Sequence, residues 1–240
     1  MGFLSLLLIF TAGICFCDKF AHADVAFWFQ PNVAVTRFQA TVVVPALSKG
    51  PGAHGVWPGI QNDNSGFVFQ SVIRSVHVPL SDAYAPTPFD SKVPGTWQFF
   101  VEYCCNPDYQ ASAIRVYPGD SITSTFTMGA NSVWTDSWSL SPGSAGQAAG
   151  QRAQAGSSSE SFASKGLINK GLLAIELQSG ATWDFGQVQW SSISITAATT
   201  KSFCSSGYAV SGGLKYSISG SSSATQDSST TCTYSRITFG

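Results

Sequence analysis

Ala113-Ile114-Arg115-Val116-Tyr117, then Pro118-Gly119-Asp120, then Ser121-Ile122-Thr123-Ser124-Thr125-Phe126-Thr127-Met128: two runs of β-branched and aromatic residues on either side of a short break decide the fold class. Proline presets φ and glycine permits φ above zero, so the break suits a tight turn, and the flanking runs read as strands. The same reading extends outward in both directions. Strands are expected at Val25 to Gln30, Phe38 to Pro45, Gly55 to Ile60, Phe67 to Ser75 and Trp97 to Tyr103, and again at Val133 to Leu140, Leu172 to Gln178 and Gln187 to Thr196. Two more, Tyr208 to Ile218 and Cys232 to Phe239, read as a C-terminal hairpin. No segment sustains a 3.6-residue apolar period, which points to an all-β sandwich or barrel. Pro142 to Ser161 and Ser219 to Thr231 are low in complexity and read as long flexible loops, the second a candidate for O-glycosylation. No N-x-[ST] sequon is present.

The chain opens with an apolar run from Phe3 through Phe16, then Asp18 and Lys19, then Ala21-His22-Ala23. That order is expected of a secretory signal peptide over residues 1–23, and the run is too short for a membrane span. The expected domain is residues 24–240, with a sandwich core at 25–197 and a C-terminal extension at 198–240. Of 240 residues only 10% are charged, and 12 basic against 13 acidic residues leave a net charge of −1. Such a surface has no electrostatic reason to seek nucleic acid or anionic lipid, and a secreted monomer is expected.

Beyond the leader, four cysteines remain: Cys104, Cys105, Cys204 and Cys232. In an oxidising compartment they should pair, and Cys204 with Cys232 is favoured because both flank strands of one C-terminal unit. Adjacent Cys104 and Cys105 then form a vicinal bridge or reach across to the other pair. With His54 and His77 as the histidines beyond the leader and no C-x-x-C, neither a zinc site nor any other cofactor is expected. G-x-S-x-G is absent too, which argues against a serine hydrolase.

Two strand positions carry candidate chemistry. Glu176 is the ionisable residue of Leu172-Leu173-Ala174-Ile175-Glu176-Leu177, where burial would raise its pKa and fit it to act as acid or base. Gln70, in Phe67-Val68-Phe69-Gln70-Ser71-Val72, shares a face with Val68 and Val72, and a neutral amide there can donate to a developing oxyanion.

The stretch His54-Gly55-Val56-Trp57-Pro58-Gly59-Ile60-Gln61, continuing to the apolar strand with Gln70, resembles the glutamic peptidases, the eqolisin family of fungal acid proteases. Trp97-Gln98-Phe99-Phe100-Val101-Glu102-Tyr103, Pro107-Asp108-Tyr109, Gly119-Asp120-Ser121-Ile122 and Asp184-Phe185-Gly186-Gln187-Val188 follow in the family's order, over Val25 to Thr196. The resemblance implies a concanavalin-like pair of antiparallel sheets around a cleft. It also implies acid hydrolysis of a polypeptide substrate, with a Glu activating water and a Gln holding the oxyanion. The family's catalytic Gln falls on Gln70, its cleft Trp on Trp57 and its auxiliary Glu on Glu102, with Phe100 beside them at the substrate. For the catalytic Glu two registers are open: without a gap Leu172 takes the position and Glu176 the family's second Glu, while a four-residue shift places Glu176 there. A binding protein that keeps an aromatic cleft for peptide or glycan is the alternative reading. A polysaccharide-active enzyme on the same scaffold is the third, though no E-x-D-x-x-E cluster is present.

Overall fold

The computed structural model describes residues 24–77, 96–104, 108–178, 180–205 and 207–240. In chain order the elements are β1 (Val25–Phe29), β2 (Val35–Val43), β3 (Gly52–Asn62), β4 (Val68–His77), β5 (Trp97–Cys104), β6 (Tyr109–Gln110), β7 (Ile114–Val116), β8 (Ser121–Met128) and β9 (Val133–Ser141). A short helix α1 (Ser144–Ala148) follows, then β10 (Gln154–Ser161), β11 (Ile168–Gln178), β12 (Val188–Ala197), β13 (Tyr208–Val210), β14 (Tyr216–Gln226) and β15 (Ser229–Phe239). They form two antiparallel sheets. The first runs β13-β1-β11-β3-β4-β5-β6, with β7 also on β5, and the second runs β10-β9-β8-β2-β12-β15-β14.

Burial explains why the two sheets read differently in sequence. In the second sheet β2 and β8 alternate, placing Phe38, Ala40, Val42, Ile122 and Phe126 inward and Thr41, Thr123 and Thr125 outward. That is the pattern of a sheet with one wet face. The first sheet is buried on both faces, and every residue of β3 is buried. Between the sheets pack Phe29, Val56, Ile60, Phe69, Phe99 and Leu173 from the first and Phe38, Phe126, Trp134, Trp190 and Ile195 from the second. Each such side chain contributes about 1.5–3 kcal/mol of burial. A second apolar cluster, with Trp57, Val68, Val72, Phe100, Leu172 and Ala174, lies on the opposite face of the first sheet.

Three expectations are corrected. Residues 142–161 are not a flexible loop: they hold α1 and β10, and β10 pairs with β9 from Gln154↔Leu140 to Ser161↔Val133. Residues 219–231 are not a loop either, because β14 and β15 form a hairpin from Tyr216↔Phe239 to Gln226↔Ser229. In both cases Ser and Thr side chains face outward and bond across strands, as in Thr135–Ser159 at 2.7 Å and Ser222–Thr233 at 2.7 Å, so low complexity does not prevent pairing. The expected strand from Tyr208 to Ile218 is two strands in different sheets, divided where Gly212 and Gly213 take φ of +68° and +63°. The C-terminus is no appendage, since β15 pairs with β12 and buries Cys232, Tyr234, Ile237 and Phe239.

The Cys204–Cys232 disulfide is present. Cys104 is also disulfide-bonded, while Cys105 and the leader lie outside the described residues.

Candidate functional site

Strand alternation on β3, β4, β5 and β11 places Trp57, Gln70, Phe100, Glu102, Leu172 and Glu176 on one face, the face of the first sheet turned away from the sandwich core. All six are buried, none more than 5% exposed. Cross-strand register then fixes which of them meet. Leu172 pairs with Gly59, Gly59 with Gln70, Gln70 with Glu102, and Glu102 with Gln110, so these residues make one row across five strands. Gln70 Nε2 donates to Glu102 Oε2 at 3.3 Å, which leaves the amide a second N–H. Gln70 Oε1 has no hydrogen-bond partner among the described residues. Phe100 pairs with Val72 and belongs to the apolar cluster beside this row.

Glu176 stands in a different row. It pairs with Gly55, which pairs with Arg74, so it lies four residues along β11 from Leu172, about 13 Å of strand. Its carboxyl accepts from Trp57 Nε1 at 3.2 Å and from Gln178 Nε2 at 2.7 Å. Burial pushes its pKa up to about 8, against the lowering effect of those two donors and with a further push from Glu102 and Asp24. A pKa raised by burial holds a proton on Glu176 through the acid range, and both its oxygens accept in the two bonds above. The structure thus brings Gln70 together with Glu102, and Glu176 together with Trp57. Leu172, and not Glu176, stands in the row of Gln70, one strand removed across Gly59.

Two residues of this face escaped sequence reading. Gly55 and Gly59 are bare positions on either side of Trp57, and G-x-x-x-G across a tryptophan on a period-2 strand is a signal that could have shown them. Lys170, also on this face, reaches the turn after β3. Its Nζ donates to Asp63 O at 2.8 Å and Ser65 Oγ at 2.7 Å while lying 5.9 Å from the Trp28 ring centroid. Burial lowers its pKa. Among the described residues no group of three His, Cys, Asp or Glu is placed to hold a metal ion, and no helix is long and apolar enough to cross a membrane.

No family model and no curated protein matches the sequence. Among solved structures the chain is similar to scytalido-glutamic peptidase with a transition state analog inhibitor, at 19% identity and a TM-score of 0.49, over 88% of this chain and 96% of that one. It is also similar to SCP-B, a member of the eqolisin family of peptidases in complex with the tripeptide Ala-Ile-His, at 15% identity and a TM-score of 0.46 over the same shares of each chain, 88% and 96%. A third similar structure is a Bacillus licheniformis β-glucanase, at 10% identity and a TM-score of 0.31, over 86% of this chain and 66% of that one.

Proposed function

We propose that this chain is a polypeptide-binding β-sandwich of glutamic-peptidase-like design that does not hydrolyse what it binds. The observation that carries the reading is the row Leu172–Gly59–Gln70–Glu102: across the bare Gly59 from the oxyanion-type amide stands an alkyl side chain. The carboxylate in that row, Glu102, accepts from the Gln70 amide, and Leu172 across Gly59 offers no base to activate water. The retained amide, with its orienting carboxylate Glu102 and the apolar wall of Val72 and Phe100, suits an extended backbone whose carbonyls need a donor. The reading of residues 1–23 as a leader, and with it an extracellular place of action, belongs to the same proposal.

A second reading, an acid endopeptidase using Glu176 and Gln70, draws support from one contact set. A Cβ at Gly55 would touch Trp57 Cδ1 at 3.7 Å and one at Gly59 would touch Trp57 Cζ3 at 3.3 Å, so the indole spans the interval between the two rows while donating to Glu176. The test separates the two. Unfolded protein substrate is incubated with the chain at about pH 3 in the presence of pepstatin, and in parallel an extended peptide is titrated against it by calorimetry. Binding without cleavage is expected, weakened about tenfold by Gln70→Ala. Cleavage by the wild type that disappears in Glu176→Gln establishes the second reading and removes the first.

A further inference from the structure

Asp136 is a buried ionisable group that neither reading uses. It sits on β9 with its side chain between the sheets, fully buried, and Ser71 Oγ of β4 donates to its Oδ2 across the sandwich. This short bond links the two sheets near the middle of the apolar core. Its other oxygen, Oδ1, has no hydrogen-bond partner among the described residues, and neither has the buried Ser124 Oγ on the neighbouring strand. The groups facing Asp136 are uncharged: Ser71 from β4, Phe126 and Ser124 from β8, Trp134 and Trp138 on its own strand, and Ser158 from β10. The ionisable residues that β5 and β10 bring to this side, Tyr103 and Glu160, bond to each other at 3.3 Å. A carboxylate in such a place would be a buried charge without a counter-charge.

We propose that Asp136 serves the fold as a neutral carboxylic acid lacing the two sheets through Ser71, and that its ionisation loosens the sandwich, which makes the pair a proton-dependent lock. Burial raises the Asp136 pKa to about 7 although the Ser71 hydroxyl and the Thr125 backbone N–H both favour the charged form. The native state therefore holds a proton that the unfolded chain releases above the usual carboxyl range. Stability is full below the unfolded value of 3.8 and is lost as pH rises towards and through about 7. The lock closes in acid and opens towards neutral.

Urea unfolding of the whole chain, followed by tryptophan fluorescence at several pH values, tests this. In the Glu176→Gln background, which removes the parallel fall that Glu176 contributes over the same range, the folded-to-unfolded ratio should fall by up to about a thousandfold between about pH 4 and about pH 8. Asp136→Asn, which keeps a neutral hydrogen-bonding group, should remove most of that fall. Ser71→Ala should move its midpoint to higher pH by deleting a donor to the charged form. In the otherwise wild-type chain Glu176 adds its own comparable loss, from about pH 4.5 up through about 8, and Glu176→Gln removes that share alone. Should Asp136→Asn fail to fold, infrared titration of the Glu176→Gln background reads the same group. A protonated carboxyl band that persists above pH 5 and shifts upward in Ser71→Ala supports the lock. The inference is overturned if Asp136→Asn keeps the full pH dependence, if Glu176→Gln abolishes all of it, or if no such band exists.

Discussion

Trp57 lies along its own strand because its two neighbours on that face have no side chains. A Cβ built at Gly59 would sit 2.8 Å from the Phe69 carbonyl oxygen, 3.2 Å from Gln70 Cβ and 3.3 Å from the Trp57 ring, and the first of these atoms is backbone that cannot turn away. At Gly55 the closest approach is 3.4 Å, to Glu176 Cβ, which is ordinary packing. Gly59→Ala is therefore expected to destabilise by about 1–3 kcal/mol in urea unfolding and to weaken peptide binding, while Gly55→Ala stays within about 1 kcal/mol. Gln70, Glu102 and Trp57 were named from residue type, strand alternation and resemblance before the structure placed them on one buried face. Whether Leu172 or Glu176 stands in the row of Gln70 was not legible in the sequence, because a four-residue slip keeps every side chain on the same face and only cross-strand pairing places the row.

At the scale of elements, the chain changes sheets after β12. It leaves the second sheet, pairs β13 with β1 in the first, and returns as β14 in the second. The Cys204–Cys232 bridge, with a sequence separation of 28, pins this crossing to β15, and Tyr234 Oη donates to Cys204 O at 2.7 Å beside it. Replacing both cysteines by alanine should cost about 3 kcal/mol, read as a lowered urea midpoint, with loss of the β13–β1 pairing visible in amide exchange before global unfolding. Strands with apolar alternation were readable one by one. The crossing was not, since Tyr208 to Ile218 looks like one strand until Gly212 and Gly213 turn it, and the serine-rich β10 and β14 carry no apolar signal of their own. Their pairing is supplied by neighbours whose other faces are buried.

At the scale of the whole fold, several strand pairs join distant parts of the chain: Val25 meets Ile175, Phe38 meets Ile195, and Leu172 meets Gly59. Loop closure must precede most of the favourable burial, so refolding from urea, followed by stopped-flow tryptophan fluorescence, should take about seconds or longer. The two sheets also end differently. The first sheet's margins are β13, β6 and β7, of 3, 2 and 3 residues, whereas the second sheet ends in β14, which runs for 11 residues and is exposed along almost all of its length. Short margins give a passing chain nothing to template on, but a long one offers a row of unpaired amides. Gly220, at φ +63°, breaks the extended backbone of β14 midway, while the pairing with β15 keeps one register on either side, Ser219↔Arg236 and Ser221↔Tyr234. A left-handed glycine in a stretch of serines thus keeps the longest edge strand among the described residues from offering one straight extended template.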